Sequence, residues 1–298
     1  MISNPSRLDC RNGSIRISQD DEVAHVPIED VSVIVLATTQ VQISGALLSA
    51  LADAQIALFT IGSDHHPNGV LLPFLSHSRS LQVMRRQLAM KLPPQKRLWQ
   101  RIVRQKIRNQ ACVLAEMGRR DPVLEGLAEE VRSGDSFNTE AHAAHRYFRG
   151  LWGQDFTRSQ DRFANLAMNY GYAVVRASIA RTLVAYGFLP AFGIFHRSEQ
   201  NAFNLADDLL EPFRPLIDAH IRRQWRNEPD RELLPADKPY LVTILNQDFL
   251  TTASERMTCL ATINLCVQSL TRWLEETDPA NVVLPMLETK IPLTDPDV

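Results

Sequence analysis

Asp208 and Glu211 are the residues from which chemistry is most readily written, because carboxylates three positions apart leave the same side of a helix. Around them Leu205, Leu209 and Phe213 recur at steps of four, as an amphipathic helix requires, while Pro212 and Pro215 kink or interrupt it. Two acids on one face repel, and beside packed apolar side chains that repulsion needs a cation between them. Arg214, three residues after Glu211, is one source of that cation, as a simple ion pair. A divalent metal is another, and a solvated acidic face is the commoner outcome for such pairs. His196 lies upstream in a loop that begins at Gly193, a position open to a ligand, a cap or a core residue. Glu140 starts a separate helical pattern, Asn138 to Leu151, where an acid in the first turn suits the helix dipole and Asn138 or Thr139 can cap. His142 and His145 do not share the face of Glu140, and the loop pair His65 and His66 is given no chemistry.

A second feature is electrostatic. From His65 to Ala115 there is no aspartate or glutamate, while Arg79, Arg85, Arg86, Lys91, Lys96, Arg97, Arg101, Arg104, Lys106 and Arg108 all fall in that window. After Pro93-Pro94, Arg97, Arg101, Arg104 and Arg108 repeat at helical steps and form one basic stripe. Solvated basic faces normally carry interspersed acids; without them, the simplest cause is a polyanion whose phosphates the cations neutralise. Nothing in the stripe supplies base readout.

The elements that must position these groups follow from patterning. Residues 1–76 read as a small β-rich domain, with strands at Ser14 to Ser18, Val31 to Leu36 and Ile56 to Ile61, and turns at Asn12-Gly13 and Asn68-Gly69. One short helix, Ser44 to Asp53, opens at a serine cap. Residues 77–92 read as a linker. Residues 93–278 read as a larger all-helical domain, with helices at Ala111 to Met117, Pro122 to Val131, Asn138 to Leu151, Asp161 to Tyr186, Leu209 to Arg226 and Ala253 to Glu276. The aromatics Tyr147, Phe148, Trp152, Phe163, Tyr170 and Tyr172 are assigned to its core, and residues 279–298 to an extended or mobile tail. The expected class is α+β.

At 298 residues and 45% hydrophobic, the chain is long enough for one large domain or two ordinary ones. A formal net charge of −2 excludes a general polycation, so any nucleic-acid surface is local. Cys10, Cys112, Cys259 and Cys266 are scattered and include no CxxC, which argues against a zinc knuckle or disulfide framework and suits a reducing cytoplasm. No signal-peptide run and no apolar stretch long enough to span a membrane is present, so the expected location is soluble and cytoplasmic.

Three local patterns, in order, resemble the CRISPR-associated spacer-acquisition integrase, the metal-dependent member of the pair of adaptation proteins. They are Glu140 opening a helix before Tyr147-Phe148, the Gly-x-x-His loop from Gly193 to His196, and Asp-Leu-x-Glu-x-Phe-Arg-Pro from Asp208 to Pro215. ISNP at residues 2–5, PNGVLLPFLSHSR ending at Arg79, and LWQRIVRQKI from Leu98 to Ile107 are similar to the branch of that family found in type II systems. The resemblance covers nearly the whole chain. It implies Glu140, His196 and Glu211 as ligands of Mg2+ or Mn2+, with Asp208 a nearby acid that assists the site. It also implies a homodimer paired through the β domains. Two such dimers would flank a dimer of the small adaptation partner, a heterohexamer that inserts prespacer duplexes into the CRISPR repeat by 3′-hydroxyl attack on a phosphodiester. The basic stretch from Arg79 to Arg108 would then meet prespacer or repeat double-stranded DNA. A general metal-dependent nuclease and a non-catalytic DNA-binding scaffold stay open as alternatives.

Overall fold

The computed structural model describes residues 1–20, 22–31, 33–62, 67–73, 79–159, 162–225, 228 and 231–288. The chain starts with β1 (Ser6–Arg11), β2 (Ser14–Gln19) and β3 (Glu22–Pro27), joined into an antiparallel meander. The expected turn at Asn12-Gly13 joins β1 to β2, and both residues have positive φ, 48° and 71°, as a tight hairpin demands. Then come β4 (Val33–Val35), β5 (Val41–Ile43), α1 (Gly45–Asp53), β6 (Ala57–Ile61) and β7 (Pro67–Leu71). Ser44 caps α1 as its sequence suggests, its side chain accepting the Leu47 N–H at 3.2 Å.

Two sheets result, with strand orders β3-β2-β1-β5 and β4-β6-β7. Leu8, Ile15, Ile34, Leu36, Leu47, Leu51, Ile56 and Leu58 form the core between them and α1. Asn68-Gly69, expected as a turn, lies inside β7 instead. Gly69 stands opposite Thr60, whose hydroxyl would sit 2.5 Å from an added Cβ, so this glycine serves close strand approach.

The region expected as a linker contains a helix, α2 (Ser80–Leu88). It leads into α3 (Leu92–Glu116), one 25-residue helix that absorbs both the basic stretch and the separately expected Ala111 to Met117 segment. Pro93 and Pro94 stand in its first turn, where a missing N–H costs no helical bond. The chain continues through α4 (Pro122–Glu130), α5 (Thr139–Trp152), α6 (Phe163–Ala185), α7 (Asn204–Leu210), α8 (Arg214–Gln224) and α9 (Lys238–Val242). Helix α6 is buried along most of its surface, with a half-buried stripe through Leu166, Asn169, Ala173 and Arg176, and is central to the larger unit. Its Ala177 also packs on Val35, Ala57 and Phe59, which docks the second sheet against the helices.

The larger unit is not purely helical. Residues expected to begin a helix at Ala253 form a hairpin of β8 (Asp248–Thr251) and β9 (Arg256–Thr258), and α10 (Cys259–Glu276) starts only after it. The expected tail is partly structural: β10 (Pro285–Met286) pairs with β8, and Val282 and Leu284 are fully buried. Asn109 of α3 secures this segment, donating to the Pro285 carbonyl at 3.0 Å and accepting the Leu287 N–H at 3.1 Å. The remainder of the expected tail, 289–298, lies outside the described residues, as do His65 and His66. The four cysteines are free thiols, and among the described residues no helix is long and apolar enough to cross a membrane.

Candidate active site

Three places in the fold meet: the middle of α3, the start of α5 and the junction of α7 with α8. On α3 the helical period puts Lys106 on the face carrying Trp99, Val103, Ile107 and Gln110, so this lysine turns inward among core residues. On α5, Glu140 occupies the first turn. Its amide and that of Thr139 donate to the Asp135 carboxylate at 3.0 and 2.8 Å. The cap is therefore Asp135, from the preceding polar loop; Asn138 holds the cap position in a left-handed conformation without a side-chain cap bond. Glu211 stands in a single 3-10 turn, Glu211–Phe213, between α7 and α8. Pro212 and Pro215 each fall in a first turn, so the chain tightens there and continues.

Glu140 and Glu211 come from helices about seventy residues apart and converge on one nitrogen. Lys106 Nζ donates to Glu140 Oε1 and, at 2.5 Å, to Glu211 Oε2. Arg214 Nε donates to the other Glu211 oxygen at 2.9 Å. Neither Glu211 nor Asp208 belongs to a solvated acidic face, since both are buried. Burial opposes ionisation of Glu211, but the charges of Arg214 and Lys106 outweigh it and hold this carboxyl down at about 2. Burial equally opposes the charge on Lys106; Glu211 and Glu140 outweigh it and raise its pKa above that of free lysine.

His196 is held by a different acid. Asp208, with no exposed surface, accepts the N–H groups of Ile194, Phe195 and His196 at 2.5, 3.0 and 3.1 Å, and bonds His196 Nδ1 at 2.7 Å. The Asp208 hydrogen bond raises the basicity of the ring above the ordinary histidine value, with burial opposing it and Glu211 adding to it. Gly193 is required here: a Cβ would lie 2.3 Å from the His196 carbonyl oxygen and 2.8 Å from Asp208 Oδ2. One turn earlier on α7, Asn204 donates to the carbonyls of Ala191, Ser198 and Asn201. From α2, Gln87 donates to the carbonyls of Leu189 and Phe192. The ring of Phe195 stacks on Trp99 at 4.2 Å.

The structure thus joins Glu140 to Glu211 and His196 to Asp208. Among the described residues, no three His, Cys, Asp or Glu side chains form a ready metal cage. The two glutamate oxygens nevertheless share one cation position, and hard oxygen donors of this kind fit Mg2+ or Mn2+. Two supporting residues are not assigned to the site by sequence: Asn204, and Lys106, which counts there only among the basic residues. For Lys106 a signal existed: a lysine on the apolar stripe of a long helix, off the phase of the arginines.

Three of the four stripe arginines have partners within the protein. Arg101 donates to the Val282 carbonyl and to Thr252, Arg104 to the carbonyls of Glu129 and Val131, and Arg108 pairs with Glu129 at 2.7 Å. These guanidiniums tie α3 to the end of α4, to the turn between β8 and β9 and to the segment after α10, so the middle of the expected stripe is engaged within the protein while Arg97 and Arg108 at its ends stay exposed. Arg86 pairs with Glu275. Arg79, Arg85, Lys96 and Arg97 are exposed, and no acid pairs with Arg85, Lys96 or Arg97 among the described residues.

Two turns beyond each glutamate lies a joint that aligns them. Tyr147, seven residues after Glu140, and Tyr172 of α6 donate to Asp218, seven residues after Glu211, at 3.1 and 2.5 Å. The Arg214 guanidinium lies over the Tyr172 ring at 4.5 Å, linking this joint to Glu211. Burial pushes the Asp218 carboxyl up to about 6, against the Tyr172 hydroxyl and Arg158. The folded protein therefore binds this proton more tightly than the unfolded chain. Its stability contribution is complete below about pH 4 and is lost as pH rises through about 6, a change of about 3 kcal/mol. Asp218→Asn abolishes that titration. In urea unfolding, the stability of the variant relative to wild type should rise by up to about 3 kcal/mol from pH 4 to pH 7; a pH-independent difference would contradict the assignment.

The family described as CRISPR associated protein Cas1 matches residues 1–229. The chain is 41% identical to the CRISPR-associated endonuclease Cas1 of Neisseria meningitidis serogroup C over 290 residues, 96% of this chain and 94% of that protein. In fold it is similar to a casposase bound to integration product, with TM-score 0.75 and 16% identity over 92% of this chain and 89% of the other. A Cas1 protein from Thermotoga maritima gives TM-score 0.71 and 17% identity over 92% and 95%. A chain of a Cas6-RT-Cas1–Cas2 complex gives 0.73 and 15%, with 97% of this chain matching 36% of that one. A small β-rich unit docked on a larger helical one is the architecture shared with these structures, and this chain belongs to the Cas1 family of CRISPR-associated proteins.

Proposed function

We propose that this protein is the integrase of CRISPR adaptation, which joins the 3′-hydroxyl of a short prespacer duplex to a phosphodiester of the CRISPR repeat. The observation that carries the reading is the convergence of Glu140 and Glu211 on one buried cation position beside the His196 loop, in a chain of the Cas1 family. Glu140, Glu211 and His196 would hold Mg2+ or Mn2+; the glutamate oxygens suit magnesium, and the imidazole nitrogen favours manganese. Bound there, the ion supplies Lewis acidity toward the phosphate and lowers the pKa of the attacking hydroxyl.

The protein's own groups have separate tasks. Asp208 takes Nδ1 of His196 and leaves Nε2 as the ring nitrogen open to ligation or proton transfer. Arg214, stacked on Tyr172, fixes the Glu211 carboxylate. The exposed cations Arg79, Arg85, Lys96 and Arg97 hold the DNA backbone, sequence-independently. The assembly we propose is a homodimer paired through the β region, two of which flank a dimer of the small adaptation partner. The likeness in fold to a Cas1–Cas2 complex supports that choice of partner.

The test is strand transfer of a labelled short duplex into a supercoiled plasmid carrying a CRISPR repeat, with the small partner and with manganese or EDTA. Metal-dependent joined product is expected. Cleavage without joining would indicate a general nuclease, and duplex binding without reaction a scaffold. For the DNA surface, the double change Lys96→Glu and Arg97→Glu should weaken duplex binding about tenfold or more at low salt and reduce the salt slope. Arg101→Met should instead lower thermal stability, because its carbonyl contacts are internal. Equal salt slopes for wild type and the Lys96/Arg97 double variant in a filter-binding titration would remove this surface.

A further inference from the structure

Lys106 has no part in the mechanism so far, yet it occupies its centre. We propose that Lys106 is the resident cation of the metal site: its ammonium holds Glu140 and Glu211 together when no divalent ion is present and gives up that position when one enters. The inference rests on reading these glutamates as metal ligands.

Geometry gives the first argument. One nitrogen bonds an oxygen of each glutamate. A Mg2+ or Mn2+ ion ligated by the same two oxygens would need to stand about 2.1 Å from each, in the volume the ammonium fills. The two cations cannot share it. Charge gives the second. Glu140 and Glu211 balance Lys106 and Arg214, so the cluster is neutral as it stands. A divalent ion added with Lys106 in place would set four positive charges against two negative ones around the buried Glu211, a costly imbalance in a low dielectric. Arg214 is anchored, with Nε on Glu211 and its guanidinium over Tyr172 at 4.5 Å. Lysine is a compact charge on a flexible four-carbon stem, and Glu140, with 28% of its side chain exposed, marks the open side of the cluster. Lys106 is therefore the member that moves. A phosphate arriving on that side would meet the released ammonium, so metal entry and an added cation for the substrate backbone become one event.

The test uses full-length wild type and Lys106→Met, which nearly conserves volume and removes the charge. Binding of Mn2+ is read from free manganese by electron paramagnetic resonance. The variant should bind Mn2+ at least about tenfold more tightly than wild type, a difference of about 1.4 kcal/mol. Its metal-free form should melt at lower temperature than wild type and recover on addition of manganese, because a cation again separates the two carboxylates. Equal or weaker Mn2+ affinity in the variant would overturn the inference and leave the metal site standing; no Mn2+ binding by either protein would remove both. A second measurement needs no variant. In wild type, acylation of Lys106 by a water-soluble active ester, mapped by peptide mass spectrometry, should rise about fivefold on saturation with Mn2+, as expected when a buried, paired amine reaches solvent. The exposed Lys91 and Lys96 serve as references. Unchanged Lys106 reactivity with manganese bound would overturn the displacement.

Discussion

Glu140→Gln is expected to lower strand transfer at least about a thousandfold, about 4 kcal/mol in transition-state stabilisation, while duplex affinity stays within about twofold. The size follows from the site. Glutamine keeps the shape of the side chain but replaces a charged oxygen donor, one of the two that converge on the cation position. Cation binding would weaken, and charge developing on the attacked phosphate would lose its counterweight. The fold should survive, because Lys106 remains paired with Glu211 and the start of α5 is capped by Asp135, not by Glu140 itself. DNA affinity should survive because the exposed cations that would meet the backbone are untouched. Joined product and duplex affinity measured on the same preparation settle the matter. Wild-type joining by the variant would remove Glu140 from the site, whereas loss of both activities together would point to misfolding.

Asp208→Ala should have the second largest effect, through a different route. The carboxylate accepts three backbone N–H groups and the His196 ring from a position with no solvent exposure. Its removal orphans buried donors at about 1–3 kcal/mol each, partly relieved by entry of water, so a loss of about 3 kcal/mol or more in unfolding free energy is expected. Joining should also fall at least about a hundredfold at temperatures where the variant is still folded, because His196 loses both its loop and its ring orientation. Asp208 acts through His196, so the two losses should not add. In a His196→Ala background, Asp208→Ala should cost little further activity while still lowering stability. Fully additive activity losses would mean that Asp208 contacts the reacting groups independently.

The two outcomes divide the acids of the 208–211 stretch into distinct tasks, although sequence spacing put them on one face. Asp208 faces the 193–196 loop and Glu211 faces Lys106 and Arg214. The two acids are separated by regular helix, and each is drawn to its own cation or donor set: backbone amides and an imidazole for Asp208, an ammonium and a guanidinium for Glu211.

Much was determined by sequence alone. The order of a β-rich unit and then a helical one, the serine cap of α1, the free thiols, the Glu211–Arg214 pair and the glycine of the His196 loop are all written in local patterns. Local patterns suffice because side-chain period, capping and backbone freedom act over a few residues. The tertiary structure alone decided the rest. It recruited Lys106 from the core face of α3 to sit between glutamates of two other elements, and it spent Arg101, Arg104 and Arg108 on carbonyls and an acid of distant segments. It also turned residues 248–258 and 285–286 into a small sheet beside the helices. Charge spacing along one helix says which residues share a face, but which face is covered depends on partners many residues away. Ion pairs, cation positions and strand partners are such long-range choices, fixed by packing and by the cost of leaving a buried charge unpaired.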